Sequence, residues 1–351
     1  MYFDNNATTA LDPLVLEAMN KEFAKGPSNP SSVHSWGQAA KGRLALARQE
    51  VAAYFDVLPQ EVIFTSGGTE SLNHAIFGLG KDKRILSSDM EHPAVLEPLK
   101  KMGSVKILKG LITLETLLPH LEGIDLMVFM AANNETGVKS PLKEIADIGL
   151  ARGIPLIVDG VAIVGREALK LHKGITAFAF SAHKFHGPKG TGCLIIRKNI
   201  APHMLGGSQE NKRRAGTENL PGIIGLTKAL SLIPDPIYVE GLRNYFESLL
   251  VGESVYINGE GPRVCNVSNL FFKGVDGEAL LFYLDQNGIS CSHGSACSSG
   301  SLAVSHVLLA LGLGLQRAKS SLRFSFSRYN TPKEVMNAAE IIKEAIKKLI
   351  R

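Results

Sequence analysis

Short apolar runs alternate with stretches of helical period along this chain. The runs cover residues 61–65, 84–87, 126–130, 156–159, 177–181 and 192–197. Helical spacing is clear at 13–23, 38–55, 69–77, 142–151 and 302–311. Parallel strands need a helix-length crossover, so this alternation implies an α/β fold with a mostly parallel sheet between helices. In such sheets ligands sit beyond the carboxyl ends of the strands. Gly67-Gly68, Asn133, Asp159 and Lys184 all fall at or just past the end of a run.

At 351 residues the chain is long for one core and suits two domains. A helix over 221–233 is followed by Pro234 and Pro236, which stop it, so the boundary is placed there. The expected division is a large domain over 13–235 and a smaller α+β domain over 236–351, joined by residues 1–12. The smaller domain has strand patterns at 264–272, 289–291 and 321–325. Its helical patterns lie at 278–287 and 333–350.

The Lys184 surroundings are the most specific chemical signal. The lysine lies in Ser181-Ala-His-Lys-Phe-His-Gly-Pro-Lys-Gly190, after the apolar run that ends at Phe180, and Asp159 closes an earlier run. An acid and a lysine at neighbouring strand ends are what pyridoxal phosphate (PLP) needs. The amine condenses with the aldehyde, and the carboxylate keeps the ring nitrogen protonated.

Other segments admit two readings each. Thr65-Ser-Gly-Gly-Thr-Glu-Ser71 is either a phosphate cradle at a helix N-terminus or a plain turn with Thr69 as N-cap. His92 either stacks on a flat ring or caps a helix. Asn133 either bonds a phenolic oxygen or serves an Asn/Gly turn. Residues 211–217 form either a solvated basic run or a phosphate-reaching loop with Thr217 as donor. Arg323 suits a bidentate grip on a carboxylate, with Arg328 as a competitor on the opposite face. His183 and His186 have metal-pair spacing but no third ligand, so no metal is expected. Cys297 sits among Ser and Gly, where a thiolate can be exposed; Cys291 reads as structural.

The bulk numbers narrow the class. Apolar residues make up 45%, and a net charge of +5 gives no case for nucleic acid. Four cysteines without paired spacing point to a reducing compartment. No leader-like start is seen, and the longest apolar runs are too short to span a bilayer. A soluble cytoplasmic protein is expected.

Taken in order, the segments resemble a class I cysteine desulfurase, the NifS/IscS-like branch of the fold-type I PLP-dependent enzymes. The likeness runs from Tyr2-Phe-Asp-Asn-Asn-Ala-Thr-Thr9 through Glu91-His-Pro-Ala-Val95, Asn133-Asn-Glu-Thr-Gly137 and the Lys184 segment. It continues to Arg214-Ala-Gly-Thr-Glu-Asn219, Gly294-Ser-Ala-Cys-Ser-Ser-Gly300 and Leu322-Arg-Phe-Ser-Phe-Ser-Arg328.

The resemblance implies a homodimer that converts L-cysteine to L-alanine and carries the sulfur as a persulfide on Cys297. The sulfur would pass to a protein acceptor, for iron–sulfur cluster assembly or tRNA thiolation. Lys184 would bind PLP and move protons, His92 would stack on the ring, and Asp159 would pair its nitrogen. Gly68, Thr69, Ser181, His183 and a partner's Thr217 would hold the phosphate. Asn133 would contact cofactor and substrate, and Arg323 the substrate carboxylate.

Two positions depart from the family pattern. Asp-Ala-Val-Gln reads Asp159-Gly-Val-Ala162 here, and an aromatic or His is replaced by Ala131. Loss of one neutral hydrogen bond at Ala162 corresponds to roughly 0.5–1.5 kcal/mol. The alternative reading is another fold-type I enzyme: a selenocysteine lyase, an aminotransferase or a β-lyase.

Overall fold

The structure is a computed structural model that describes residues 1–294 and 304–350. Its large sheet holds β1 (Val62–Thr65), β2 (Arg84–Ser88), β3 (Ser104–Leu108), β4 (Leu126–Met130), β5 (Leu156–Asp159), β6 (Ala177–Ser181) and β7 (Gly192–Ile196). The spatial order is β1-β7-β6-β5-β4-β2-β3. β7 runs antiparallel to both neighbours, and every other pair is parallel.

The central strands β4 to β7 are buried at every position, which is why they read as unbroken apolar runs. Alternate residues serve the two faces. Met127, Phe129, Val158, Phe178 and Phe180 pack on one side with Phe55 and Leu226 from helices Ser35–Phe55 and Leu220–Ser231. Val128, Ile157, Ala179 and Leu194 pack on the other with Leu72 and Ile76 of helix Gly68–Gly80.

A second sheet is antiparallel, in the order β10-β9-β8. Its strands are β8 (Val255–Ile257), β9 (Val267–Phe272) and β10 (Ser321–Ser325). Phe246, Leu270, Phe272, Phe324 and Phe326 form its apolar cluster, and Phe3 joins them from the N-terminal segment. That segment runs beside β10, through a bridge between Asp4 and Ser325.

Several elements differ from expectation. β3 was not anticipated because it is an edge strand with four of its five positions open to solvent, so it lacks an apolar run. The run at 289–291 is not a strand: Ser290 within it makes an isolated bridge to Tyr2, and Ser292 just past it makes one to Arg323. Helix Ile237–Leu250 follows Pro236 at once: the prolines that end one helix also begin the next. The helix expected over 302–311 spans His306–Ala310 with Ser305 as its N-cap; residues 302 and 303 lie outside the described ones.

Candidate active site

Loops after β1, β2, β4, β5 and β6 converge at their carboxyl ends on one cavity of about 880 Å³, open to solvent. Seven anticipated residues line its large-sheet side: Gly68, Thr69, His92, Asp159, Ser181, His183 and Lys184. Arg323 lines it from β10. The main-chain oxygens of Asn6 and Ala7 accept hydrogen bonds from Lys184 Nζ at 2.6 and 2.9 Å. The N-terminal segment thus holds the amine, a contact spanning most of the chain that no local pattern discloses.

Asp159 ends β5, and its carboxylate accepts from Val161 N at 2.9 Å. Burial pushes its pKa up to about 6, against the opposing pull of Val161 N–H and Lys184. His92 is the N-cap of helix Pro93–Leu99, with Nδ1 accepting from Ala94 N at 3.1 Å. Burial lowers its pKa to about 4, with Lys184 and His306 adding to the effect. The imidazole is therefore neutral near pH 7 with its proton on Nε2. His92 thus caps the helix and also lines the cavity. His183 is likewise lowered to about 4, mainly by burial, and its Nδ1 lies 3.1 Å from Thr8 Oγ1.

Close backbone approach shapes the other end. A Cβ on Gly68 would meet Val161 Cγ2 at 2.5 Å, and one on Gly192 would meet Gly67 Cα at 2.4 Å. Gly67 is the N-cap of helix Gly68–Gly80 and no side chain caps it, so the reading of Thr69 as a cap does not hold. Thr69, Ser181 and His183 also border a shallow opening with Thr8, Lys189 and Gly190.

Asn133 is placed differently from its expected role. Its Oδ1 accepts from Glu135 N, Thr136 N and Thr136 Oγ1, and its Nδ2 donates to Met90 O at 3.2 Å. It ties the turn and does not line this cavity; Asn134 does. Asn side chains bond following N–H groups in turns, and here the first of the two does so. Arg323 Nη2 donates to Asp4 Oδ1 at 2.7 Å and Nη1 to Asn134 O at 3.2 Å. Arg328 pairs with Asp12 and does not line the cavity.

Thr217 is exposed and outside the cavity. Its loop is tied down by Arg214, which pairs with Glu70 at 2.8 Å. Cys297 lies outside the described residues. Burial raises the Cys291 thiol well above its ordinary pKa, which suits a structural role. Among the described residues no cluster of His, Cys, Asp or Glu could hold a metal.

Residues 1–337 match the family described as aminotransferase class-V. The chain belongs to this family. Among curated members of known activity, the cysteine desulfurase of Klebsiella pneumoniae is 41% identical over 95% of this chain and 90% of its own length. The cysteine desulfurase IscS of Dictyoglomus turgidum is 39% identical over 99% and 95%. A solved NifS-like protein superposes with a TM-score of 0.90 at 33% identity, covering 99% of this chain and all of its own. SspA, solved in complex with cysteine, gives 0.84 at 28% identity over 94% and 99%. The chain therefore has the expected fold-type I architecture, in its NifS/IscS-like form.

Within the class-V site, reasoning from sequence missed Arg166. It lines the cavity and donates to Lys184 O at 2.8 Å. A lone Arg inside the apolar stretch Val161-Ala-Ile-Val-Gly-Arg166 was the available signal.

Proposed function

We propose that this protein is a PLP-dependent cysteine desulfurase, releasing L-alanine from L-cysteine and taking the sulfur onto Cys297. The observation that carries the reading is the meeting of Lys184, Asp159 and His92 in one cavity at the strand ends. The residues present suit the cofactor. Asp159 is a buried carboxyl whose raised pKa reports too little positive charge nearby, and a protonated pyridine nitrogen supplies it. The glycine-walled N-terminus of helix Gly68–Gly80, with Thr69, Ser181 and His183, suits a phosphate.

When bound, PLP supplies a ring that withdraws electrons from the substrate α-carbon. The remaining work falls to the chain. Lys184 Nζ, released from the Asn6 and Ala7 carbonyls, takes the α-proton and returns it. Neutral His92 presents its flat ring and an Nε2 proton. Arg323 grips the substrate carboxylate, and Asn134 takes the contact first assigned to Asn133. The Cys297 thiolate attacks the substrate sulfur. The new S–S bond forms as the Cβ–S bond breaks, and its electron pair stays on carbon and is protonated. Alanine leaves, and the persulfide remains on the enzyme.

The same reading includes a cytoplasmic homodimer in which the partner subunit's Thr217 reaches the phosphate. It divides the chain into domains over 13–235 and over 236–351 with 1–12. A protein acceptor of iron–sulfur assembly or tRNA thiolation receives the sulfur. Mass spectrometry after incubation with L-cysteine tests the reading: one added sulfur on Cys297 is expected, with alanine formed. Alanine formation undiminished in Cys297→Ala would overturn the role of Cys297, and pyruvate with free sulfide in place of alanine would point to a β-lyase.

A further inference from the structure

Among the described residues three arginines are buried below a tenth of their surface: Arg166, Arg243 and Arg323. Arg243 pairs with Glu240 and Arg323 with Asp4. Arg166, at 7% exposure, pairs with no carboxylate among the described residues. Its side chain's one hydrogen bond among the described residues is Nη2 to the main-chain oxygen of Lys184. A guanidinium offers five N–H donors, and a buried cation without a counter-charge is destabilising. Burial accordingly pulls its pKa down, with only the Cys265 thiol in opposition.

The side chain is not sealed in. It lines the cavity together with Ala162, a methyl that leaves both space and an unfilled polar position, and with Lys184, the residue it holds. A planar fork in a low-dielectric wall next to an open cavity is suited to an oxygen anion.

We propose that Arg166 is the counter-cation for an oxyanion that occupies the cavity beside Ala162 and Lys184. The proposal rests on the PLP reading above. Two groups carry this chemistry, the cofactor's phenolic oxygen and the substrate's carboxylate. The first is favoured, because Arg323 already faces the cavity for the second and Arg166 is anchored on the lysine that must meet the cofactor's aldehyde.

The test compares wild type, Arg166→Met and Arg166→Lys. The quantities measured are PLP dissociation constant by absorbance titration, the pH midpoint of the bound cofactor's visible band, and KM for L-cysteine. Loss of a charge-assisted bond raises the PLP dissociation constant of Arg166→Met roughly tenfold to a hundredfold. The midpoint moves to higher pH, since an oxyanion without its cation holds a proton more tightly. Arg166→Lys lies between. Unchanged PLP binding with KM raised and kcat unaltered assigns the substrate carboxylate. If all three quantities in Arg166→Met stay within about twofold of wild type, the proposal is overturned. A wild-type protein that binds no PLP defeats the parent reading instead, before any variant is made. Should Arg166→Met not fold, Arg166→Lys keeps the charge, loses the fork, and is judged by the same three measurements.

Discussion

Arg323 Nη2 lies 2.7 Å from Asp4 Oδ1, and the arginine is 1% exposed. Strand β10 supplies one partner and the N-terminal segment the other. Asp4 Oδ1 also accepts from Ser292 Oγ at 2.8 Å, so the carboxylate steadies the chain just ahead of the cysteine loop. In Asp4→Asn the guanidinium keeps its charge and loses its counter-ion. Breaking a buried pair from one side costs about 3–5 kcal/mol, and the partly exposed Asp4 places this case at the lower end. Urea unfolding should show that loss, and L-alanine should restore part of it by offering a carboxylate. Arg323→Gln should raise KM for L-cysteine roughly tenfold to a hundredfold with a smaller fall in kcat. An unchanged KM would remove Arg323 from the substrate site.

Glu91 gives the apoprotein a pH-dependent stability. Burial pushes its pKa up to about 8, Asp159 adds to the rise, and Met130 N–H and Ser88 oppose it. Oε1 accepts from Ser88 Oγ at 2.9 Å, while Oε2 has no hydrogen-bond partner among the described residues. The unfolded chain gives up this proton near 4.5, so between 4.5 and 8 the folded state binds one more proton. Stability therefore falls as pH rises through that window, by up to about 1.4 kcal/mol per pH unit.

His92, His183 and His186, each lowered to about 4, act with the opposite sign, and only below about 6.5. Chemical unfolding from pH 6.5 to 8 should show wild type weakening and Glu91→Gln flat. Parallel slopes in the two proteins would mean that Glu91 is ionised in the fold.

The strands that carry the site were legible because a strand buried on both faces has no choice but to be apolar. β4, β5 and β6 end where their polar side chains begin, which put Asp159 and Lys184 at the strand ends before any coordinates. What stayed hidden depends on distance in sequence or on the direction of one side chain. The hold of Asn6 and Ala7 on Lys184 joins the N-terminal segment to the middle of the chain through a fold that must exist first. Asn133 and Asn134 differ by which one the turn consumes. Thr217, exposed here, was assigned on resemblance, and its role requires a second subunit.

The approach of Gly192 to Gly67 can be tested against an internal control. A Cβ at Gly192 would press on the Gly67 backbone at 2.4–2.8 Å, and backbone paired at the start of β7 and at a helix N-cap has little room to step aside. Gly192→Ala should lose about 1–3 kcal/mol and bind PLP more weakly, because the displaced turn is the one that opens helix Gly68–Gly80. Gly42 lies exposed within helix Ser35–Phe55 with nothing within 4 Å of its virtual Cβ. Gly42→Ala should gain about 0.4–1 kcal/mol and leave PLP binding unchanged. Equal effects from the two substitutions would show that crowding at Gly67 is relieved at no cost.

Arg48 and Glu210 anchor the basic loop from the far side of the site. Arg48 Nη1 and Nη2 each donate to the Glu210 carboxylate at 2.7 Å, and the same carboxylate accepts from Phe64 N at 3.0 Å. Glu210, Asn211 and Lys212 all have positive φ, between 48° and 64°, a conformation that side-chain-bearing residues adopt at a cost. The bidentate pair is what holds it. Glu210→Ala leaves the largely buried Arg48 guanidinium without its carboxylate and removes the side-chain bond from those three residues to Phe64 of β1. The expected loss is about 3–5 kcal/mol. Arg214, Thr217 and the rest of the loop should then exchange amide protons faster, read by hydrogen exchange across 208–219. Glu210→Ala that unfolds like wild type, with loop protection intact, would show that the Arg214–Glu70 pair holds the loop by itself.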